Sequence, residues 1–206
     1  MLSNLLTQAG EWSVHLVQTL GYPGIVFLMF LESTFVPWPS ELVMPQAGWL
    51  AKTGDMNLFV AIFMGTLGSC LGAMTNYTLA LWLGRPFFLK FGKYLLCPPE
   101  SFAKVESFFR THGEIGTFTG RLIPGIRHLI SLPAGLARMN IVRFQLFTAV
   151  GAGLWCSILA AIGYIACGNI GLMKKMAHDW TLAVIASAAA IIGLYIWWHK
   201  RRVKQA

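Results

Sequence analysis

Four charged side chains stand inside apolar stretches that prolines interrupt. Glu32 and Glu41 lie between Ile25 and Ala51, a run broken by Pro37, Pro39 and Pro45. Arg121 and Arg127 lie between Ile115 and Ala137, a run broken by Pro124 and Pro133. A guanidinium forms bidentate bonds with a phosphate, so the arginines suit an anionic lipid headgroup or another oxyanion. They are six residues apart, about 600° of rotation on an unbroken helix, which would leave them on different faces. A turn at Pro124-Gly125 can aim both at one cavity, and half-helix N-termini at Pro37, Pro39 and Pro124 would add backbone N–H donors. Carboxyl groups taken out of water favour their neutral form, so Glu32 and Glu41 could exchange protons there and change how strongly the arginines hold an anion. The competing reading of the four charges is a set of structural ion pairs between the two stretches.

The remaining polar residues are less specific. His128, beside Arg127, is read as a hydrogen-bonded structural imidazole in preference to a proton relay, and Asp55 as a solvated loop residue. Cys70, Cys97, Cys156 and Cys167 lack metal-binding spacing, and three of them lie in apolar segments, so they read as small membrane hydrophobes. No metal or cofactor is expected. Phe27, Phe30, Phe59, Phe63 and Trp82 read as packing or lipid-facing residues.

These charges must be positioned by a chain of 206 residues that is 56% hydrophobic and only 12% charged. Mean hydropathy is +0.61. An average soluble domain is about a quarter charged, so an ordinary soluble enzyme and a basic nucleic-acid-binding protein are both excluded. The chain is an all-α integral membrane protein in this reading. Asn57–Leu83, Ile141–Ala166 and Trp180–Trp198 are each long and apolar enough to span a bilayer, which takes about 20 residues. The net charge of +8 reports orientation. Lys200, Arg201 and Arg202 put the C-terminus in the cytoplasm, and the connection holding Arg85, Lys90, Lys93, Lys104 and Arg110 falls on the same side. Lys174 and Lys175 would then be external. The start MLSNLLTQAGEW lacks the basic n-region of a cleaved signal peptide.

Proline in a helix interior costs about 3 kcal/mol. Irregular backbone at membrane depth persists only where protein or a wet cavity satisfies it. Each proline-broken stretch therefore reads as a re-entrant helical hairpin that returns to its own side. The two stretches also align as repeats. Pro37 precedes Gly48 by 11 residues, as Pro124 precedes Gly135, while Tyr77 and Tyr164 each follow their glycine by 29 and Gly84 and Gly171 by 36. One unit enters from outside and the other from inside, an inverted pair of the kind that forms transporter sites near the midplane. The expected architecture is a single transmembrane domain over 1–206 with two opposed re-entrant hairpins and about three spanning helices. An amphipathic N-terminal helix (1–20) precedes the first repeat (22–84) and a cytoplasmic connection with its own amphipathic helix (85–112). The second repeat (113–171), a final span (180–198) and a basic tail (199–206) follow.

Glu32-Ser-Thr-Phe-Val-Pro-Trp-Pro-Ser-Glu41, followed by Pro45-Gln-Ala-Gly48, resembles the first signature of the DedA family of bacterial membrane proteins. Gly120-Arg121-Leu-Ile-Pro124-Gly125-Ile-Arg127, with Ser131 and Ala134-Gly135 downstream, resembles its second. Asn76-Tyr77 and Leu83-Gly84-Arg85 are similar to the end of its intervening helix, and the likeness extends from about Tyr22 to Gly168. The resemblance implies opposed hairpins in a bacterial inner membrane and movement of polyprenyl-phosphate carrier lipid or phospholipid between leaflets, with proton motive force involved. It implies that Arg121 and Arg127 serve the phosphate, and that Glu32, with Glu41 as the candidate for a second acidic position, couples protons. Ser131, Asn76, Tyr77 and His128 are secondary candidates.

The leading function is inward return of undecaprenyl phosphate. The alternatives are a phospholipid flippase or scramblase and, from another class, a membrane enzyme acting on lipid phosphates. Such an enzyme needs a nucleophile or metal set, and the five histidines are dispersed. The expected partners are an anionic lipid and protons. Nucleic acid is not among them, and homo-oligomer formation is left open.

Overall fold

The computed structural model describes residues 12–34, 40–91, 99–123, 127, 129–166, 169, 171–172, 176 and 179–180, with the backbone alone at 85–91, 99–107 and 110–112. Pro37, Pro39, Pro124, Gly125, His128, Cys97, Cys167, Lys174, Lys175 and, beyond Trp180, the final span and its basic tail lie outside the described residues. Among the described residues the structure is helical and contains no strand. Residues 12–20 form α1, followed by α2 (Tyr22–Ser33), α3 (Ser40–Thr53), α4 (Leu58–Phe91), α5 (Pro99–Leu122), α6 (Ser131–Leu136) and α7 (Ile141–Ala166).

Two apolar runs, Leu58–Gly84 and Ile141–Ala166, are long enough to cross a membrane. Each starts on an asparagine cap. The Asn57 Oδ1 accepts from the Phe59 and Val60 amides, and the Asn140 Oδ1 from the Val142 and Arg143 amides, satisfying donors that a helix start leaves orphaned. The boundary expected at Gly84-Arg85 is a kink, because Gly84 adopts φ 65° and the helix resumes to Phe91. Only glycine takes that left-handed conformation at little cost. Phe59, Phe63 and Trp82 project outward, as expected of lipid-facing residues.

The expected breaks need correction at two prolines. Pro45 lies inside α3 and Pro133 inside α6, and neither ends its helix. Pro133 falls in the first turn, where its missing N–H has no intrahelical acceptor to lose. The chain leaves helical geometry after Ser33, with Thr34 extended and its hydroxyl donating to the Leu31 carbonyl at 2.6 Å. The expected amphipathic surface helix is also longer than its sequence suggests. It runs without interruption to Leu122 and so includes the stretch leading to Arg121. Gly113 and Gly116 do not stop it; a helical glycine costs only about 1 kcal/mol, and these two give room to Met139, Phe108 and Phe109.

The long helices α4 and α7 pack antiparallel: Thr66 lies near Gly153, and Cys70 accepts through its carbonyl from Gln145. Along α2, Val26 and Met29 meet Gly68, while Phe30 and Ser33 meet Gly72, so α2 advances with α4. Along α3, Ser40 meets Trp155 and Lys52 lies over the Tyr164 ring, so α3 advances with α7. Glycines permit close backbone approaches between these helices. A Cβ at Gly48 would overlap the Ala160 carbonyl of α7, and one at Gly135 would stand 2.6 Å from the Tyr77 carbonyl of α4. The core built on these contacts joins Ile25, Leu28, Met29, Val43, Met44, Trp155 and Leu159.

Candidate functional site

Helix ends carry the charges toward the middle of α7. Glu32 is on the last turn of α2, Glu41 on the first turn of α3 and Arg121 on the last turn of α5. Arg127 stands in the segment before α6. It forms an ion pair with Glu32 and donates to the Ser40 hydroxyl, and the Glu41 carboxylate is 3.9 Å away. Its guanidinium lies over the Trp155 ring, 5.1 Å from the centroid, a cation–π geometry. The Trp155 indole also donates to the Ser40 hydroxyl at 3.3 Å, so Ser40 joins α3, Arg127 and α7 in one cluster.

Arg121 is held differently. Its guanidinium donates to the Ser131 hydroxyl at 3.0 Å, and its Nε is buried with no hydrogen-bond partner. Among the described residues no carboxylate lies within ion-pair distance of it. Its stem packs on Gly151 of α7, where a Cβ would stand 2.8 Å from the Arg121 Cβ. Glu32 and Arg121 are each 3% exposed and Arg127 8%. A buried ion left without compensation carries a desolvation penalty of several kcal/mol. Glu32 meets that cost through Arg127, with the Ser33 hydroxyl donating weakly at 3.4 Å. Glu41, with 33% of its side chain exposed, is the more accessible carboxylate.

The structure thus brings Glu32, Glu41 and Arg127 together and places Ser131 on Arg121. The other two candidates described brace the surroundings. Asn76 donates from Nδ2 to the Ser33 carbonyl at 3.1 Å, tying α4 to the end of α2. Tyr77 donates its hydroxyl to the Met139 carbonyl and stacks on Phe144 at 4.8 Å between centroids. Ser40 and Trp155 were not among the candidates read from sequence. Ser40 had a usable signal: it precedes Arg127 by 87 residues, the same offset that aligns Gly48 with Gly135. Trp155 had none, since an aromatic residue in a span reads as a lipid-facing one. Among the described residues no group of three or more His, Cys, Asp or Glu could hold a metal ion.

The described residues thus include two buried guanidinium groups, Arg127 engaged by carboxylates and Arg121 with none within ion-pair distance. Comparison with known proteins bears on what such groups serve. The VTT domain model matches residues 38–165. A Bacillus subtilis protein named uncharacterized membrane protein YkoX is 35% identical over 185 residues, covering 90% of this chain and 82% of its own. A second Bacillus subtilis protein, undecaprenyl phosphate transporter A, is 28% identical over 97% of both chains. A Lactococcus lactis protein named alkaline phosphatase-like protein is 30% identical over 93% of this chain and 92% of its own. No solved structure matches the chain.

Proposed function

The chain belongs to the VTT-domain family of membrane proteins, the DedA proteins, and from that premise we propose that it returns undecaprenyl phosphate from the outer to the inner leaflet of a bacterial inner membrane. In this reading Arg121 and Arg127 hold the phosphate while the polyprenyl tail stays in lipid. Glu32 and Glu41 exchange protons and so couple the cycle to the proton motive force. The observation that carries the reading is the buried cluster of Arg127 with Glu32 and Glu41, with a second buried arginine, Arg121, seated about one turn away along α7 at Gly151. The name of the Bacillus transporter, over 97% of both chains, favours the polyprenyl phosphate within that chemistry. Names of the family's relatives point to transport more than to hydrolysis, although the Lactococcus name is ambiguous.

The proposal includes an inverted pair of re-entrant hairpins. Three packing relations support it. With α4 and α7 antiparallel, α2 following α4 and α3 following α7, the chain reverses between α2 and α3. The aligned glycines exchange partners, Gly48 meeting Tyr164 of α7 and Gly135 meeting Tyr77 of α4. Residues at the repeat offset also touch each other, Ser40 with Arg127 and Thr66 with Gly153, as happens along a local two-fold axis. The Arg127–Glu32 pair is then the resting state, which opens when phosphate competes for the guanidinium or when the carboxyl is protonated.

The test is reconstitution of the purified chain in liposomes, following inward movement of undecaprenyl phosphate and phosphatidylglycerol with and without a pH gradient. Undecaprenyl phosphate should move faster under the gradient, with phosphatidylglycerol little affected. Equal, gradient-independent movement of both lipids would replace the proposal with a scramblase.

A further inference from the structure

Building on the lipid-phosphate reading above, we propose that Thr148 is a further anion-binding residue: its hydroxyl and the Arg121 Nε together hold a phosphate oxygen beside the Arg127 ion pair. Two orphaned polar groups carry this. Thr148 is fully buried, and its hydroxyl has no hydrogen-bond partner. That is unusual for a helical hydroxyl in this protein. Thr66, Thr75, Thr78, Thr119 and Ser157 each donate to the carbonyl four residues earlier, at 2.6–3.0 Å. Thr148 does not make the corresponding bond to Phe144. The Arg121 Nε is the second such group, buried and unbonded in a side chain that is 3% exposed. Each is penalised for as long as it stays buried and unpaired, and a ligand oxygen between them would relieve both.

Their placement links them. Thr148, Gly151 and Trp155 follow one another at helical spacing on the buried face of α7. Gly151 backs onto the Arg121 stem, and Trp155 faces Arg127. Thr148 therefore stands one turn before the point where α7 meets the arginine that lacks a carboxylate. A guanidinium has only donors, the threonine hydroxyl can add another, and Arg121 has no carboxylate within ion-pair distance among the described residues, so the complementary ligand is an oxyanion. Arg121 with Thr148 and Ser131 forms the half that first receives the anion, and Arg127 is the half that must be released from Glu32 and Glu41. A lipid monophosphate and free phosphate share the required chemistry.

The experiment uses the full chain in nanodiscs, titrated with farnesyl phosphate, farnesol and inorganic phosphate. Thr148→Val should weaken farnesyl phosphate binding about tenfold, the loss of one charge-assisted hydrogen bond. Thr148→Ser should stay within about threefold of wild type, farnesol binding should not change, and Thr148→Val should add little to an Arg121→Lys background. Thr148→Ala takes its place if the valine variant folds poorly. Competition by inorganic phosphate at similar concentration assigns the affinity to the headgroup alone, and lack of competition assigns it to the lipid-tethered phosphate; the oxyanion assignment holds in both cases. Wild-type affinity in Thr148→Val, equal loss in Thr148→Ser, or full additivity with Arg121→Lys would overturn it. If those results come with binding that Arg127→Lys still abolishes, only the Thr148 assignment fails. A wild-type protein that ignores farnesyl phosphate removes the lipid-phosphate reading itself.

Discussion

Glu32→Gln should tighten phosphate binding while weakening the fold. Glu32 and the phosphate compete for one guanidinium, because Arg127 is ion-paired to Glu32 and 92% shielded from solvent by its neighbours. At an effective dielectric near 20, opposite charges about 4 Å apart attract by about 4 kcal/mol, which an incoming phosphate must replace. Glutamine keeps the shape and one acceptor oxygen but removes the charge. Glu41, 3.9 Å from Arg127, takes up part of the vacated attraction, so the recovered share is about 1.4 kcal/mol, or tenfold in affinity. The resting protein meanwhile loses the most buried ion pair among the described residues. Breaking such a pair from one side costs about 3–5 kcal/mol, and the retained contacts to Ser40 and Trp155 place this variant near 3. The assay is paired: farnesyl phosphate titration in nanodiscs and equilibrium unfolding in mixed detergent. A folded Glu32→Gln protein that binds farnesyl phosphate more weakly than wild type would refute the competition, and stability within about 0.5 kcal/mol of wild type would refute the buried pair.

Other substitutions separate packing from binding. Gly48→Ala drives a Cβ into the Ala160 carbonyl and should cost about 3 kcal/mol or more, seen as a large drop in thermal midpoint. Tyr77→Phe leaves the Met139 carbonyl without its hydroxyl donor and should cost about 1–2 kcal/mol in unfolding experiments, with farnesyl phosphate affinity unchanged. Arg143→Ala removes a pair to Glu114 whose side chains are 68% and 44% exposed, so unfolding stability should stay within about 0.5 kcal/mol of wild type.

The parts of this protein legible in its sequence are those set by local physics. The apolar runs and asparagine caps define Leu58–Gly84 and Ile141–Ala166, and these coincide closely with the expected spans. Counting prolines as breaks worked less well, because position within a helix decides their effect: Pro133 falls in a first turn and Pro45 is carried through α3. The expected boundary between 112 and 113 falls inside α5, where Gly113 leaves room for Met139. At the site, residue type and motif pointed to the four charges and Ser131. Pairing depends on tertiary contacts, so nothing in the spacing told which arginine meets the carboxylates. Thr148 was invisible for a related reason: a threonine in a span normally bonds its own helix, and only the folded structure shows that this one does not.

The most direct measurement is lipid-phosphate binding by Arg121→Lys and Arg127→Lys in nanodiscs, with folded yield monitored in parallel. Lysine keeps the charge and loses the planar fork, which separates phosphate clamping from general electrostatic attraction. Both variants should remain folded and lose at least about tenfold in affinity for farnesyl phosphate, with undecaprenyl phosphate transport falling accordingly. Near-normal binding and transport in both would contradict the arginine clamp and leave the buried charges as a structural ion-pair cluster.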